Sequence, residues 1–318
     1  MAEERVGRFE RRAWVLALAA VMLFALGLIW LGLHERRREA DIGRPGNPVV
    51  FVLSPEHGSR LTPEQRGAMA AFLQAESGLA VEVRVAASPL EAVEAFGTRG
   101  RRGDIGLLKL FEYLLARGEY EVEARLQVLR AGESSSFCGE VLVRADGPIR
   151  SVRDLEGRSV AYVDPYSTSG FVFPAKLLAD AGVRVKADFA RSHAEALARL
   201  RAGQADAAAT YAGAAAADPA LRAVARTETI PNEPVFFRRG LDAGKKERLV
   251  EALRKLAATA EGCLLLRTVA DTTGFRPIGD DHYLGVLAAI RAAGRTIVDV
   301  VPEGDRVESE RRGIDYVP

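Results

Sequence analysis

Hydrophobic residues fall into distinct patterns along this chain. From Ala13 to Leu33, AWVLALAAVMLFALGLIWLGL, no charge interrupts the run. At about 1.5 Å per residue such a helix spans roughly 32 Å, enough to cross a bilayer core. Beyond it the apolar runs shorten. Val49–Leu53 (VVFVL) reads as a buried strand, and Val81–Val85 (VEVRV) alternates as a strand should. Further strands are expected in GDIGLL, at Val141–Val143, at Ser159–Val163 and at Val235–Phe237. Between them lie helical signals. Thr62-Pro63-Glu64-Gln65, Ser88-Pro89-Leu90-Glu91 and Ser192-His193-Ala194-Glu195 have capping-box spacing, and Gly78 and Gly182 mark C-terminal stops. Leu249, Leu253 and Leu256 give an amphipathic helix beginning near Lys245, and Tyr283–Ala292 reads as the last helix. Asp206–Thr210 fits a strand or a helix equally well. Strand and helix alternating with short turns predict an α/β fold.

The flanks of the long apolar run refine its reading. Trp14 and Trp30 stand near its ends, where interfacial aromatics belong. Arg5, Arg8, Arg11 and Arg12 precede it and Arg36–Arg38 follow it, so charge hardly decides orientation. No cysteine follows for lipidation. The segment reads as an uncleaved transmembrane anchor; a cleaved signal peptide, with Ala25-x-Gly27 as a weak site, is the rival. The basic stretch HERRREADIGRPGNP then reads as a linker. The tail PEGDRVESERRGIDYVP is charged and reads as partly disordered.

Composition adds exclusions. The 318 residues carry a formal net charge of +1, which gives no argument for a nucleic-acid partner. Cys138 and Cys263 lack metal-ligand spacing, and their pairing is left open. His34, His57, His193 and His282 are scattered, so no metal site is expected. No cofactor is expected either.

The candidate chemistry lies in DPYSTSGFVFP, Asp164–Pro174. Ser167, Thr168 and Ser169 follow an expected strand and precede an expected helix. Pro174 cannot donate and crowds the carbonyl four residues back, so regular helix begins late. Backbone N–H groups around residues 167–170 then lack helical acceptors. Gly170 lets the backbone approach a ligand closely. Amides, hydroxyls and the positive end of a helix together make an anion cradle; the plain alternative is a polar helix cap. His193, at the first position of its helix, is either a donor to the same anion or a surface histidine. Asp206, Tyr211 and Glu233 each have a loop reading beside the functional one.

These pieces together resemble the phosphate/phosphite/phosphonate-binding components of ABC transporters, the PhnD-like periplasmic binding proteins of type II fold. The resemblance runs from about Asn47 to about Ala292 and is strongest in DLEGRSVAYVDPYSTSGFVFP, Asp154–Pro174. It continues in SHAEAL, GQADAAAT, IPNEPVFFRRGL and GFRPIGDDHY. It implies two α/β lobes joined by a hinge, with a ligand between them; the transmembrane helix read from the apolar run precedes them. The implied organisation is a cytoplasmic N-terminus (1–12), an anchor or signal segment (13–33), a linker (34–47) and first-lobe residues 48–141. The second lobe (142–235), the rest of the first (236–295) and a charged tail (296–318) follow. Hinge crossings are implied near Val141–Arg144 and Glu233–Phe236. The ligand-binding set implied is Ser167, Thr168, Ser169, Gly170, His193, Asp206, Glu233, Phe137 and Tyr211, with no catalytic group. Glu233 takes the position of an acid facing the ligand's outer end. Leu108 and Phe137 stand where the family carries tyrosines, and Gly213 where it carries a second acid; Ser134, Ser135 and Ser136 are substitutes. The implied role is capture of a small oxyanion outside the cytoplasm for an ABC permease, from an anchor in the bacterial inner membrane.

Three other readings stand beside it. One is a ligand sensor of the same fold reporting to a membrane partner. Another is a binding protein that has lost its ligand. The third, a hydrolase using Ser167, His193 and Asp206, ranks lowest, because no G-x-S-x-G elbow is present and three adjacent hydroxyls suit oxyanion binding better.

Overall fold

The computed structural model describes residues 14, 21–30, 32, 39–97 and 102–307. It divides into two units, residues 1–48 and 49–318. In the first unit, residues 21–30 are helical with their large apolar side chains exposed. Among the described residues no helix is long and apolar enough to cross a membrane. Of the expected span Ala13–Leu33, residues 13, 15–20, 31 and 33 lie outside the described residues.

The second unit is built on two sheets. The strands of the first are β1 (Val49–Leu53), β2 (Val81–Val85), β3 (Ile105–Leu107), β4 (Glu123–Leu129), β10 (Pro234–Phe237) and β11 (Gly274–Pro277). Their order is β11-β4-β10-β3-β1-β2. β1 runs parallel to both β2 and β3, whereas β10 is antiparallel to β3 and β4. The second sheet takes β5 (Ser136–Arg144), β6 (Ser159–Tyr162), β7 (Lys186–Phe189), β8 (Ala207–Tyr211) and β9 (Leu221–Pro231), ordered β7-β6-β8-β5-β9. β6 is parallel to β7 and β8, and β5 is antiparallel to β8 and β9.

Local signals explain most elements. Thr62 closes both arms of its capping box with Gln65, and Gly78 ends that helix at φ +67°. Ser88 and Ser192 each accept from the backbone N–H three residues on. The ambiguous alanine run is a strand because β8 fills the centre of a sheet: Ala207, Ala208, Ala209 and Thr210 are completely buried between β6 and β5. Gly106 in β3 is a packing requirement, since a Cβ there would collide with the Phe236 ring.

The chain leaves the first sheet after Leu129 and joins the second at Ser136; it returns between Pro231 and Pro234. The first crossing therefore lies upstream of Val141–Arg144, which pair with β8 and β9 inside the second sheet. Asn232 stitches the two crossings together. Its Nδ2 donates to Val128 O (3.0 Å) and Ser134 O (2.9 Å), and its carbonyl accepts from Tyr283 Oη (2.8 Å). The start of the tail is ordered by burial: Val300, Val301 and Val307 pack into the core of the first half. Residues 308–318 lie outside the described residues. Cys138 and Cys263 are free thiols.

Candidate functional site

Parallel strands deliver their following loops to one place. The loops after β1 (Glu56, His57), β3 (Lys109), β6 (Val163–Ser169) and β8 (Ala212) line a cavity of ≈ 730 Å³. In open α/β sheets ligands sit at these carboxyl ends. The crossings add Arg130, Phe137 and Glu233, and the tail adds Val300 and Pro302. Of the expected ligand-binding residues, Ser167, Thr168, Ser169, His193, Tyr211, Glu233 and Phe137 line it.

The 167–170 loop folds as a wide turn. Val172 N–H reaches back five residues to Ser167 O (3.0 Å), and Phe173 N–H reaches Thr168 O in the same way. Pro174 has no N–H to offer upstream; the Gly170 carbonyl instead accepts from Val163 N–H (3.1 Å). Helix α1 (Phe173–Asp180) begins only here. Ser167 Oγ accepts from Gly170 N–H at 3.0 Å and keeps its own O–H to donate. The amides of Thr168 and Ser169, and both their hydroxyls, make no hydrogen bond among the described residues. Ser169 is nevertheless only 4% exposed. Gly170 is fixed by packing. It is buried outside the cavity lining, and a Cβ there would strike Val163 and lie 2.7 Å from Ser167 Oγ.

His193 sits at the N-terminus of α2 (His193–Arg201), its Nδ1 2.8 Å from Thr210 Oγ1 and its ring edge-on to Tyr211. Burial lowers its pKa below the usual value, against the pull of Asp164, so at neutral pH it is an uncharged imidazole. Asp206 stands elsewhere. Its carboxylate accepts from Ser159 N–H and Oγ–H (2.9 Å each) at the opposite end of β6, outside the cavity lining. Ser167, His193 and Asp206 therefore form no relay. Gly213 also lies outside the lining, its N–H donating to Glu140.

The other wall carries charge. Leu108 is completely buried and off the lining; Lys109, beside it, lines the cavity and donates to Glu56 (3.0 Å). Lys109 also opens helix α3 (Leu110–Tyr120), with its N–H held by Glu112 Oε2 (3.1 Å). Burial raises the Glu112 carboxyl to about 7. Glu233, 6% exposed, is bound by Arg130 and lies 3.4 Å from His57 Nε2. Burial alone would raise its pKa; Arg130 and His57 outweigh that and hold it below the ordinary value. Burial lowers that of His57 despite Glu233. Ser134 and Ser136 line the cavity, whereas Ser135 faces a separate cleft. His57, Lys109, Arg130 and Glu112 escaped the pattern reading because each looks like a surface charge; only their place after a parallel strand or at a crossing marks them.

Two sheets joined by two crossings, with a cavity at the strand ends, define a periplasmic-binding-protein-like α/β fold. The family of ABC transporter phosphonate periplasmic substrate-binding proteins matches residues 51–283, and the chain belongs to it. Among solved structures, XAC2383 from Xanthomonas citri bound to chloride ion is 23% identical (TM-score 0.64; 79% of this chain, 99% of that one). PhnD1 from Prochlorococcus marinus in complex with methylphosphonate is 16% identical (TM-score 0.58; 78% and 98%). A binding protein component of an ABC phosphonate transporter from Pseudomonas aeruginosa is 18% identical (TM-score 0.55; 79% and 87%). At these identities the likeness is one of fold. No curated protein matches the sequence.

Proposed function

We propose that this chain captures a small phosphonate- or phosphate-class oxyanion in the cavity, without chemistry, and presents it to an ABC permease. In this reading Ala13–Leu33 anchors it in the bacterial cytoplasmic membrane, with the lobes on the outer side. The single observation that carries the binding role is the pair of unspent amides at Thr168 and Ser169, with three hydroxyls on the same turn. Family membership supports the transport role. The magnitudes permit it. A micromolar Kd needs about −8 kcal/mol, and hydrogen bonds to a charged group contribute roughly 1.5–3 kcal/mol each. Desolvating the anion and losing its free motion oppose this, so both walls must close on the ligand.

Thermal unfolding of the full-length protein tests the reading against phosphate, phosphite, methylphosphonate, 2-aminoethylphosphonate and sulfate. At hundredfold excess over Kd a bound anion stabilises by about 2.7 kcal/mol. Thr168→Val removes that stabilisation and leaves the ligand-free melting temperature nearly unchanged. If no anion shifts melting, the binding role is wrong. Protease accessibility of the soluble part in spheroplasts, with the chain retained in membranes after carbonate washing, tests the anchor.

A further inference from the structure

Asp164 is the one carboxylate on the cradle's own loop, and the oxyanion reading above leaves it unused. It lines the cavity just past the end of β6. One oxygen, Oδ1, accepts from Tyr166 N–H at 2.7 Å. The carboxylate forms no ion pair among the described residues, and Oδ2 makes no hydrogen bond there. Of the cations lining the same cavity, Lys109 is bonded to Glu56 and Arg130 to Glu233, while Arg191 makes no ion pair among the described residues. Asp164 nonetheless acts electrostatically on Lys109 from the facing wall and on His193 from its own. Its negative charge is therefore felt inside the cavity.

A carboxylate can only accept. A fully ionised anion on the Ser167–Ser169 turn would meet like charge and leave Oδ2 unanswered. An anion that keeps one acidic hydrogen turns that conflict into a charge-assisted O–H···O⁻ bond, among the stronger kinds. Phosphate and phosphonate monoanions keep such a hydrogen; the sulfate dianion and sulfonate monoanions have none. We propose that Asp164 is a specificity-determining residue that makes the cavity select monoanions bearing a P–OH group and reject sulfur oxyanions. This inference rests on the oxyanion reading of the cavity and names the protonation state of its ligand.

Methylphosphonate monoanion and methanesulfonate are matched in charge, methyl group and shape, and differ by one hydroxyl hydrogen. Calorimetry on the full-length protein at about pH 5.5, below the second ionisation of a phosphoryl group, compares them. Wild type is expected to bind methylphosphonate about tenfold or more tightly, since a site built to pair with a hydroxyl rejects the analogue lacking it. Asp164→Asn keeps an oxygen for Tyr166 N–H and adds a donor; its preference is expected to fall to about twofold or less, with methanesulfonate gaining. Equal binding of the two anions by wild type, which needs no variant to fold, overturns the inference and leaves the oxyanion reading intact. A preference unchanged in Asp164→Asn also overturns it. Binding of neither anion removes the oxyanion reading, and the inference with it.

Discussion

The two walls of the cavity solve opposite problems. On the wall from the second sheet the turn offers neutral donors, the Thr168 and Ser169 amides and three hydroxyls, beside an uncharged His193, with Asp164 and Arg191 also on the lining. Its polarity is unspent. The wall from the first sheet and the crossings holds formal charges that are already paired, Lys109 with Glu56 and Arg130 with Glu233, which also lies beside His57. One wall leaves its donors free; the other uses its charges to hold the fold and the crossings in place. Neutral donors are the cheaper way to receive an anion, because their desolvation costs less than that of a bare charge. A buried charge is retained only with its partner, and removing one partner is costly.

The largest expected effect breaks the charged wall. Arg130→Met leaves Glu233 buried beside His57 without its guanidinium and should cost about 3 kcal/mol in urea unfolding at neutral pH. The sign with pH follows. Glu233 is held below its ordinary pKa, so its contribution is present above the unfolded value and is lost as pH falls through the folded one. The stability gap between wild type and variant should therefore be widest at neutral pH and shrink as pH falls through the folded value. Unchanged stability would mean that the pair braces nothing.

Glu112 sharpens the same wall in the other direction. Its folded pKa is about 7 against an ordinary 4.5, so its stabilising protonated form is fully present below 4.5 and lost as pH rises through 7. Wild type should lose about 3 kcal/mol across that window relative to Glu112→Gln. Subtracting the two stability–pH curves isolates this group from Glu233 and His57, whose signs are opposite. A flat difference curve would place Glu112 in water.

Behind the hydroxyl turn, Gly170→Ala forces a methyl against Val163 and Ser167 and should cost about 1–2 kcal/mol as overpacking. The loop geometry should suffer with it, so anion-induced stabilisation falls more than that of a remote variant of equal stability. If stability drops while the anion response survives, the turn tolerates distortion and the cradle is less exacting than drawn. The smallest effect lies off both walls. Asp206→Asn removes the charge from the Ser159 contact and should cost about 1 kcal/mol with anion affinity unchanged. A large affinity loss would return Asp206 to the site.

Much of the chemistry was legible because it is local. The Thr62, Ser88 and Ser192 caps, the Gly78 stop and the delayed helix before Pro174 follow from spacing and from missing donors, and neighbours a few residues apart satisfy them. Strands β1 and β2 showed by their apolar patterns. Strands β4, β7, β9 and β11 did not, since their residues alternate poorly and their pairing partners are distant in sequence. Helix α3 was hidden for a related reason: seven of its first eight residues are buried whatever their period, including Glu112.

The sequence alone determined an α/β chain, the hydroxyl turn at Ser167–Ser169 and the family to which both belong. Only tertiary structure could place Asp206 away from the cavity, Leu108 inside the core and Lys109 on the wall. Only it could pair Arg130 with Glu233 across 103 residues and pack Val300, Val301 and Val307 into the first half. The reason is range. Capping and turn formation are decided by energies among near neighbours, whereas a charge's partner, and hence whether it serves a ligand or the fold, depends on which distant strands end at the same place.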